Sequence, residues 1–445
     1  MFRIYRVRFT VTREEQVIMY RKYFIQGLAV VTLFVFNGGT FAQKGIGVAD
    51  LSVDAGFPYE TYIRYLEERG KPPATYVIDK LKQYNIVMIG EDHWLKDHPV
   101  FISELIKAIR EDGTVILDYL AIEFGNAGDQ ILADAFIASH EFREDLAIQI
   151  LRNGPDFCGW PFQEVLDIFK TVWQENRKHP DKKPINILLT NNPYRIRARD
   201  GESIDCLLER DAEYLTSRIS RDRYMARVLE EEVIARDLKA IYYCGGAHSS
   251  YLTRSYALDE ESGNCLRHMS AGKILKSLYP ALVFSIELYG ANKDRAYYPG
   301  TNPEEWDRYL DGRMDEIFRR NGNRPVGFDI KQPPFSEISE GDYYMFWERG
   351  NRERFREKYP KCYEKIGDTG NRKISDSNDG LIFLRPLSEY QGAEICEKFF
   401  DDVFMERIIK RRNGKLKSRK ELFEFLLKIR PVMGECLERL IEEAR

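Results

Sequence analysis

Residues 84 to 125 constrain this chain more than any other stretch. They run Tyr-Asn-Ile-Val-Met-Ile-Gly-Glu-Asp-His-Trp, then a helical span, then Tyr-Leu-Ala-Ile-Glu-Phe-Gly. The apolar runs Ile86 to Ile89 and Tyr119 to Ile122 are short, rich in β-branched and aromatic residues, and stopped by Gly90 and Gly125, the pattern of buried parallel strands. Between them Phe101, Ile102, Leu105, Ile106 and Ile109 repeat at helical spacing behind Pro99. A strand, helix, strand unit follows. Glu91 and His93 come after the first strand and Glu123 after the second. Ligands in open α/β sheets bind outside the carboxyl ends of strands, so these three residues form the candidate site.

The rest of the chain repeats the theme. Ile185 to Thr190, Ala240 to Cys244, Ala281 to Leu288 and Gly380 to Leu384 read as further strands, and Phe162 to Arg177 and Ala393 to Arg445 as helices. Asp200 to Ala235 is a charged stretch with apolar residues at helical spacing. The expected fold is α/β, a largely parallel central sheet flanked by helices, with a helical C-terminal extension. The expected division is a leader over 1–42, a core over 43–390 and C-terminal helices over 391–445. Residues 292–373 lack a clean period and are expected to be an insertion, lid or irregular cover. At 445 residues the chain is long enough for one large α/β domain with an appendage.

Charge argues against nucleic acid as a partner, since the net value of −4 is spread without a long basic block. Arg21 and Lys22 precede an uncharged span from Tyr23 to Gln43 whose apolar centre, Phe24 to Phe36, has the length of a signal-peptide core, with small residues at Thr40 and Ala42. Export with cleavage after Ala42 is expected, a retained membrane anchor being the rival. Either places the site outside the cytoplasm, with membrane contact only through that segment. The seven cysteines lie far apart with no CxxC pair, which leaves zinc-ribbon and thioredoxin chemistry unsupported. The odd count leaves at least one thiol unpaired.

Of six histidines, only His93 and His248 lie directly at strand ends within glycine-bearing loops, the second in Gly245-Gly246-Ala247-His248. Two chemistries fit two histidines and two carboxylates on one sheet edge. A histidine takes a proton from water while a carboxylate fixes its tautomer and another donor meets the developing oxyanion, giving ester or amide hydrolysis. Alternatively His93, His248 and one of Glu91 or Glu123 hold a divalent ion. HExxH is absent, and no cofactor is assigned. A small molecule is the expected substrate or ligand.

Gly90-Glu91-Asp92-His93, Ala121-Ile122-Glu123-Phe124, Arg221-Asp222-Arg223-Tyr224-Met225-Ala226 and Gly245-Gly246-Ala247-His248 stand in the same order as motifs of the erythromycin-esterase-like, ChaN-like and Tiki superfamily, which this chain resembles from roughly Tyr84 to Leu384. Asp379 to Leu384 looks like the late strand of the esterase-like branch. The resemblance implies an α/β core with its site at strand ends, and hydrolysis, haem binding or metalloprotease activity according to branch. It implies His93 as the base on water with Glu91 beside it and Glu123 in support, Arg221 and Asp222 on the substrate side, and His248 orienting or polarising substrate. Where esterase relatives usually carry Thr or Gly after the histidine, this chain has Trp94 and Leu95, so Trp94 is expected to shape a different pocket floor.

Overall fold

The computed structural model describes residues 56–154, 158–192, 221–251, 256–259, 264–267, 269–290, 309–339, 373–411, 416–429 and 433–443. The chain divides into Met1–Phe57 and Pro58–Arg445, and all the described residues but Gly56 and Phe57 belong to the second unit. The leader and most of the charged stretch before Arg221 fall outside the described residues. Among those described, no helix is long and apolar enough to cross a membrane, and Cys158, Cys244, Cys396 and Cys436 are free thiols.

Nine strands form. They are β1 Ile86–Glu91, β2 Tyr119–Asn126, β3 Asn186–Asn191, β4 Ala240–Gly245, β5 Tyr256–Asp259, β6 Asn264–Arg267, β7 Val283–Leu288, β8 Val326–Asp329 and β9 Gly380–Phe383. β5 and β6 make a separate antiparallel pair, and the other seven form one sheet in the order β3-β2-β4-β1-β7-β9-β8. Only the β8–β9 pairing in it is antiparallel. β1 and β2 are therefore not neighbours, because β4 lies between them. Within the stretch expected to be an insertion, lid or cover, β8 is an edge strand of the main sheet.

Strand alternation sends successive side chains to opposite faces. Val87 and Ile89 of β1, Leu120, Ile122 and Phe124 of β2, and Ile241 and Tyr243 of β4 enter a large core with helices Pro73–Gln83, Asp97–Asp112 and Gln163–Lys178. Ile86, Met88, Ala121, Tyr242 and Cys244 enter a smaller core on the other face, with Met225, Leu229, Val233 and Leu275 from the helices opposite. Val87 and Ile89 are wholly buried, and each such side chain contributes roughly 1.5–3 kcal/mol of transfer free energy. The helix Asp97–Asp112 stops at Gly113, whose φ of 66° is left-handed and whose N–H bonds the Ile109 carbonyl at 3.1 Å.

The C-terminal helices Asp402–Arg411, Arg419–Ile429 and Gly434–Glu443 extend the large core through Phe404, Ile408, Leu422 and Leu437. Residues 391–396, which precede them, form a strap. Its backbone pairs on one side with the loop after His93, through Lys96 N–H to Gln391 O at 2.9 Å and Ala393 N–H to Trp94 O at 2.7 Å. On the other side it pairs with the loop before the helix Gln163–Lys178, through Cys396 N–H to Pro161 O at 2.9 Å and Gln163 N–H to Glu394 O at 2.8 Å.

Candidate active site

The carboxyl ends of β1, β2 and β4 bring the sequence candidates together. Register sets Glu91 opposite Gly245 and Ile89 opposite Tyr243. Glu91 lies on the large-core side by alternation, and Glu123 on the smaller-core side, so the cluster straddles the end of the sheet. The loops after β1 and β4 then fold over this edge from His93 and His248.

His93 Nδ1 lies 2.8 Å from Glu91 Oε1, and His248 Nδ1 lies 2.8 Å from Asp222 Oδ1. Both rings present Nε2 to a single carboxylate. His93 Nε2 is 3.6 Å from Glu123 Oε1 and His248 Nε2 is 3.5 Å from Glu123 Oε2. Arg221 Nη2 stands 3.7 Å from Glu123 Oε1, and the Gly245 N–H donates to Glu123 Oε2 at 2.9 Å. Glu123 is thus buried, bonded to backbone, and ringed by three cationic or titratable groups just outside hydrogen-bond distance.

These surroundings separate the carboxylates. Burial drives Glu123 upward, but His248, His93, Arg221 and the Gly245 N–H together outweigh it and leave its pKa below the ordinary value. For Glu91 burial prevails, and its pKa is raised despite hydrogen bonds from His93 and Tyr243.

Asp222 is buried, and its carboxylate is taken up by His248 and by the Ala271 N–H at 2.8 Å. The carboxylate bonded to His93 is Glu91, while Glu123 faces the opposite ring nitrogen. Trp94, half-buried, meets the His93 ring edge-on at 5.4 Å and has a left-handed φ of 67°. A β-carbon-bearing residue is strained there, and such strain is found where surrounding structure holds a site in shape. Gly245 is required by crowding, since a Cβ on it would lie 2.6 Å from His93 Cε1 and 2.8 Å from Nε2.

Three neighbours complete the cluster. Asn191 donates from Nδ2 to the Glu123 carbonyl at 2.9 Å and accepts the Arg221 Nε–H at 3.0 Å, so it ties β3 to both. It ends a predicted strand but carries no motif. Trp160 stacks on Phe124 at 4.7 Å and meets the His93 ring at 4.9 Å. Tyr243, wholly buried, donates its hydroxyl to Glu91 Oε2. Only the register of β1 on β4 exposes that pairing.

Among the described residues, no group of three or more His, Cys, Asp or Glu side chains is arranged to hold a metal ion. The Arg221 guanidinium beside Glu123 adds positive charge where a cation would sit. A haem iron on either Nε2 would need room for a porphyrin plane in the direction that Glu123 closes at 3.6 and 3.5 Å. Neither group fits this arrangement of side chains.

No protein-family model matches the sequence, and no curated protein matches it either. Among solved structures, the chain is similar to a mutant erythromycin esterase in its open conformation at 11% identity and TM-score 0.42, covering 69% of this chain and 92% of that one. It is also similar to a Bacillus cereus protein at 13% identity and TM-score 0.40, covering 62% and 86%. A third likeness, at 13% identity and TM-score 0.29 and covering 52% and 89%, is to ChaN of Campylobacter jejuni, in a structure of its cofacial haem binding.

Proposed function

We propose that the chain is a hydrolase acting on an ester, amide or related bond of a small molecule, with His93 as the base that activates water. One observation supports this reading above the others. Two histidines, each tied at Nδ1 to its own carboxylate, present Nε2 to opposite oxygens of Glu123. A carboxylate on Nδ1 fixes the tautomer and makes Nε2 the reactive nitrogen.

His93 Nε2 takes a proton from water as the water oxygen bonds to the substrate carbonyl carbon. The imidazolium so formed is stabilised by Glu91 on one side and Glu123 on the other. His248, held by Asp222, passes a proton from Nε2 to the leaving oxygen or nitrogen as that bond breaks. Arg221 offsets the charge of Glu123 and supplies positive potential for the oxyanion. Asp222 serves as a positioning residue for His248, and Trp94 bounds the substrate space beside His93. Export through the 1–42 segment belongs to the same proposal and would place the substrate outside the cytoplasm.

The test is an ester and amide panel on the full chain, comparing wild type with His93→Ala while circular dichroism confirms folding. Loss of turnover in the folded variant is expected, and undiminished turnover would overturn the assignment. A Soret band in the purified protein, or one perturbed by haem titration, would point to ligand binding instead.

A further inference from the structure

We infer that Tyr243 is a positioning residue of this site, acting through Glu91 to hold His93 in the tautomer with hydrogen on Nδ1. The inference rests on the hydrolytic reading for its kinetic consequence but not for its structural one. Tyr243 holds the histidine along two routes. The first is polar. Its hydroxyl donates to Glu91 Oε2, while Glu91 Oε1 faces His93 Nδ1 at 2.8 Å. With Oε2 occupied by a donor, Oε1 is the carboxyl oxygen left to accept from the imidazole. The second route is apolar. The Tyr243 ring meets Phe124 edge-on at 5.4 Å, Phe124 stacks on Trp160 at 4.7 Å, and Trp160 meets His93 edge-on at 4.9 Å.

These contacts close a ring of residues around the histidine. They bring together β1, β2, β4 and the Trp160 loop, so the orientation of His93 is fixed by strands and not by its own loop alone. A buried tyrosine that merely satisfied its hydroxyl on the nearest acceptor would account for the Glu91 bond. It would not make the state of His93 depend on that hydroxyl.

Tyr243→Phe keeps ring and volume and removes one oxygen. With the ester that wild type turns over best, kcat is expected to fall about tenfold while KM stays within about twofold, the signature of a contact used in the chemical step. Independently of any substrate, ¹⁵N spectra of histidine-labelled full chain at one fixed pH should show His93 losing Nδ1–H character. An unchanged His93 signature in folded Tyr243→Phe overturns the inference, whatever happens to turnover. A changed signature in a protein with no hydrolytic activity supports the positioning role and removes the hydrolytic reading. If Tyr243→Phe does not fold, a fluorinated tyrosine at 243 retains the ring and strengthens the donor. The His93 Nδ1 proton resonance is then expected to move, and a stationary resonance counts against Tyr243.

Discussion

Two clusters on this sheet each set cationic or titratable groups around one buried carboxylate, and they are built differently. Around Asp379, beside β7 and β9, the contacts of Tyr251, Lys276 and the Ser285 backbone are closed hydrogen bonds. Tyr251 donates to the Asp379 carboxylate at 2.5 Å and the Ser285 N–H at 3.1 Å, and Lys276 and Lys331 approach to 3.2 and 3.4 Å. The same two ammonium groups lie over the Tyr251 ring at 5.3 and 5.6 Å. Lys276 also caps the Val283 carbonyl at 2.8 Å, on the part of β7 that β9 does not reach. Around Glu123, by contrast, the side-chain partners stop at 3.5, 3.6 and 3.7 Å. The charges there are arranged to face one another without being spent on one another. Closed contacts hold a strand edge, and the open ones set His93, His248 and Arg221 around one carboxylate just beyond hydrogen-bond distance.

That contrast can be broken or sharpened by mutation. The largest effect is expected from His93→Ala, which should lower turnover about a thousandfold while the urea midpoint barely moves; a large loss of stability would put His93 with the structural cluster. Asp379→Asn should do the reverse. Its two lysines lose their counter-charge, and because both are partly exposed the expected cost is about 2–3 kcal/mol, read by denaturation, with turnover of the folded protein preserved. Gly245→Ala tests how closely the open cluster is fitted. The added Cβ would displace the His93 ring, and a shift of that kind should lower kcat about 10- to 100-fold at little cost in stability.

The smallest effect concerns Glu164, a third buried carboxylate that belongs to neither arrangement. It accepts the Glu394 N–H at 3.1 Å and has Lys96 at 3.8 Å. Burial pushes its pKa up to about 7. A carboxyl raised on folding stabilises fully below its unfolded value near 4.5 and loses that contribution as pH rises through about 7. Glu164→Gln should therefore leave stability unchanged near pH 4 and increase it by about 1–2 kcal/mol at pH 8. Denaturation curves at the two pH values decide it, and equal stabilisation at both would remove Glu164 from the ionising groups.

Much of this was legible in the sequence for a simple reason. The parallel strands are buried on both faces, so Ile86 to Ile89 and Ala240 to Cys244 appear as unbroken apolar runs, each ending one or two residues before its strand does. Glu91, His93, Glu123, Arg221 and His248 were marked by those ends or by motif order, and the fold gathers them. β8 was illegible because Val326-Gly327-Phe328-Asp329 is short, sits at an edge and contains a glycine. Partner choice was illegible too. Whether Glu91 or Glu123 bonds His93 depends on alternation and register between β1, β2 and β4, which are distant in sequence. Tyr243 and Asn191 were missed on the same ground, since neither residue type signals its partner until the strands are paired.

The strap over 391–396 has a consequence in the order of synthesis. Domains take shape from the N-terminus onward as the chain emerges, and β1, β2, β3, β4 and β7 all precede the strap. The loop that carries His93 and Trp94 nevertheless lacks its backbone partners until Gln391 and Ala393 have left the ribosome. A nascent chain would thus possess all seven strands of its main sheet before the loop that carries His93 is held on both sides.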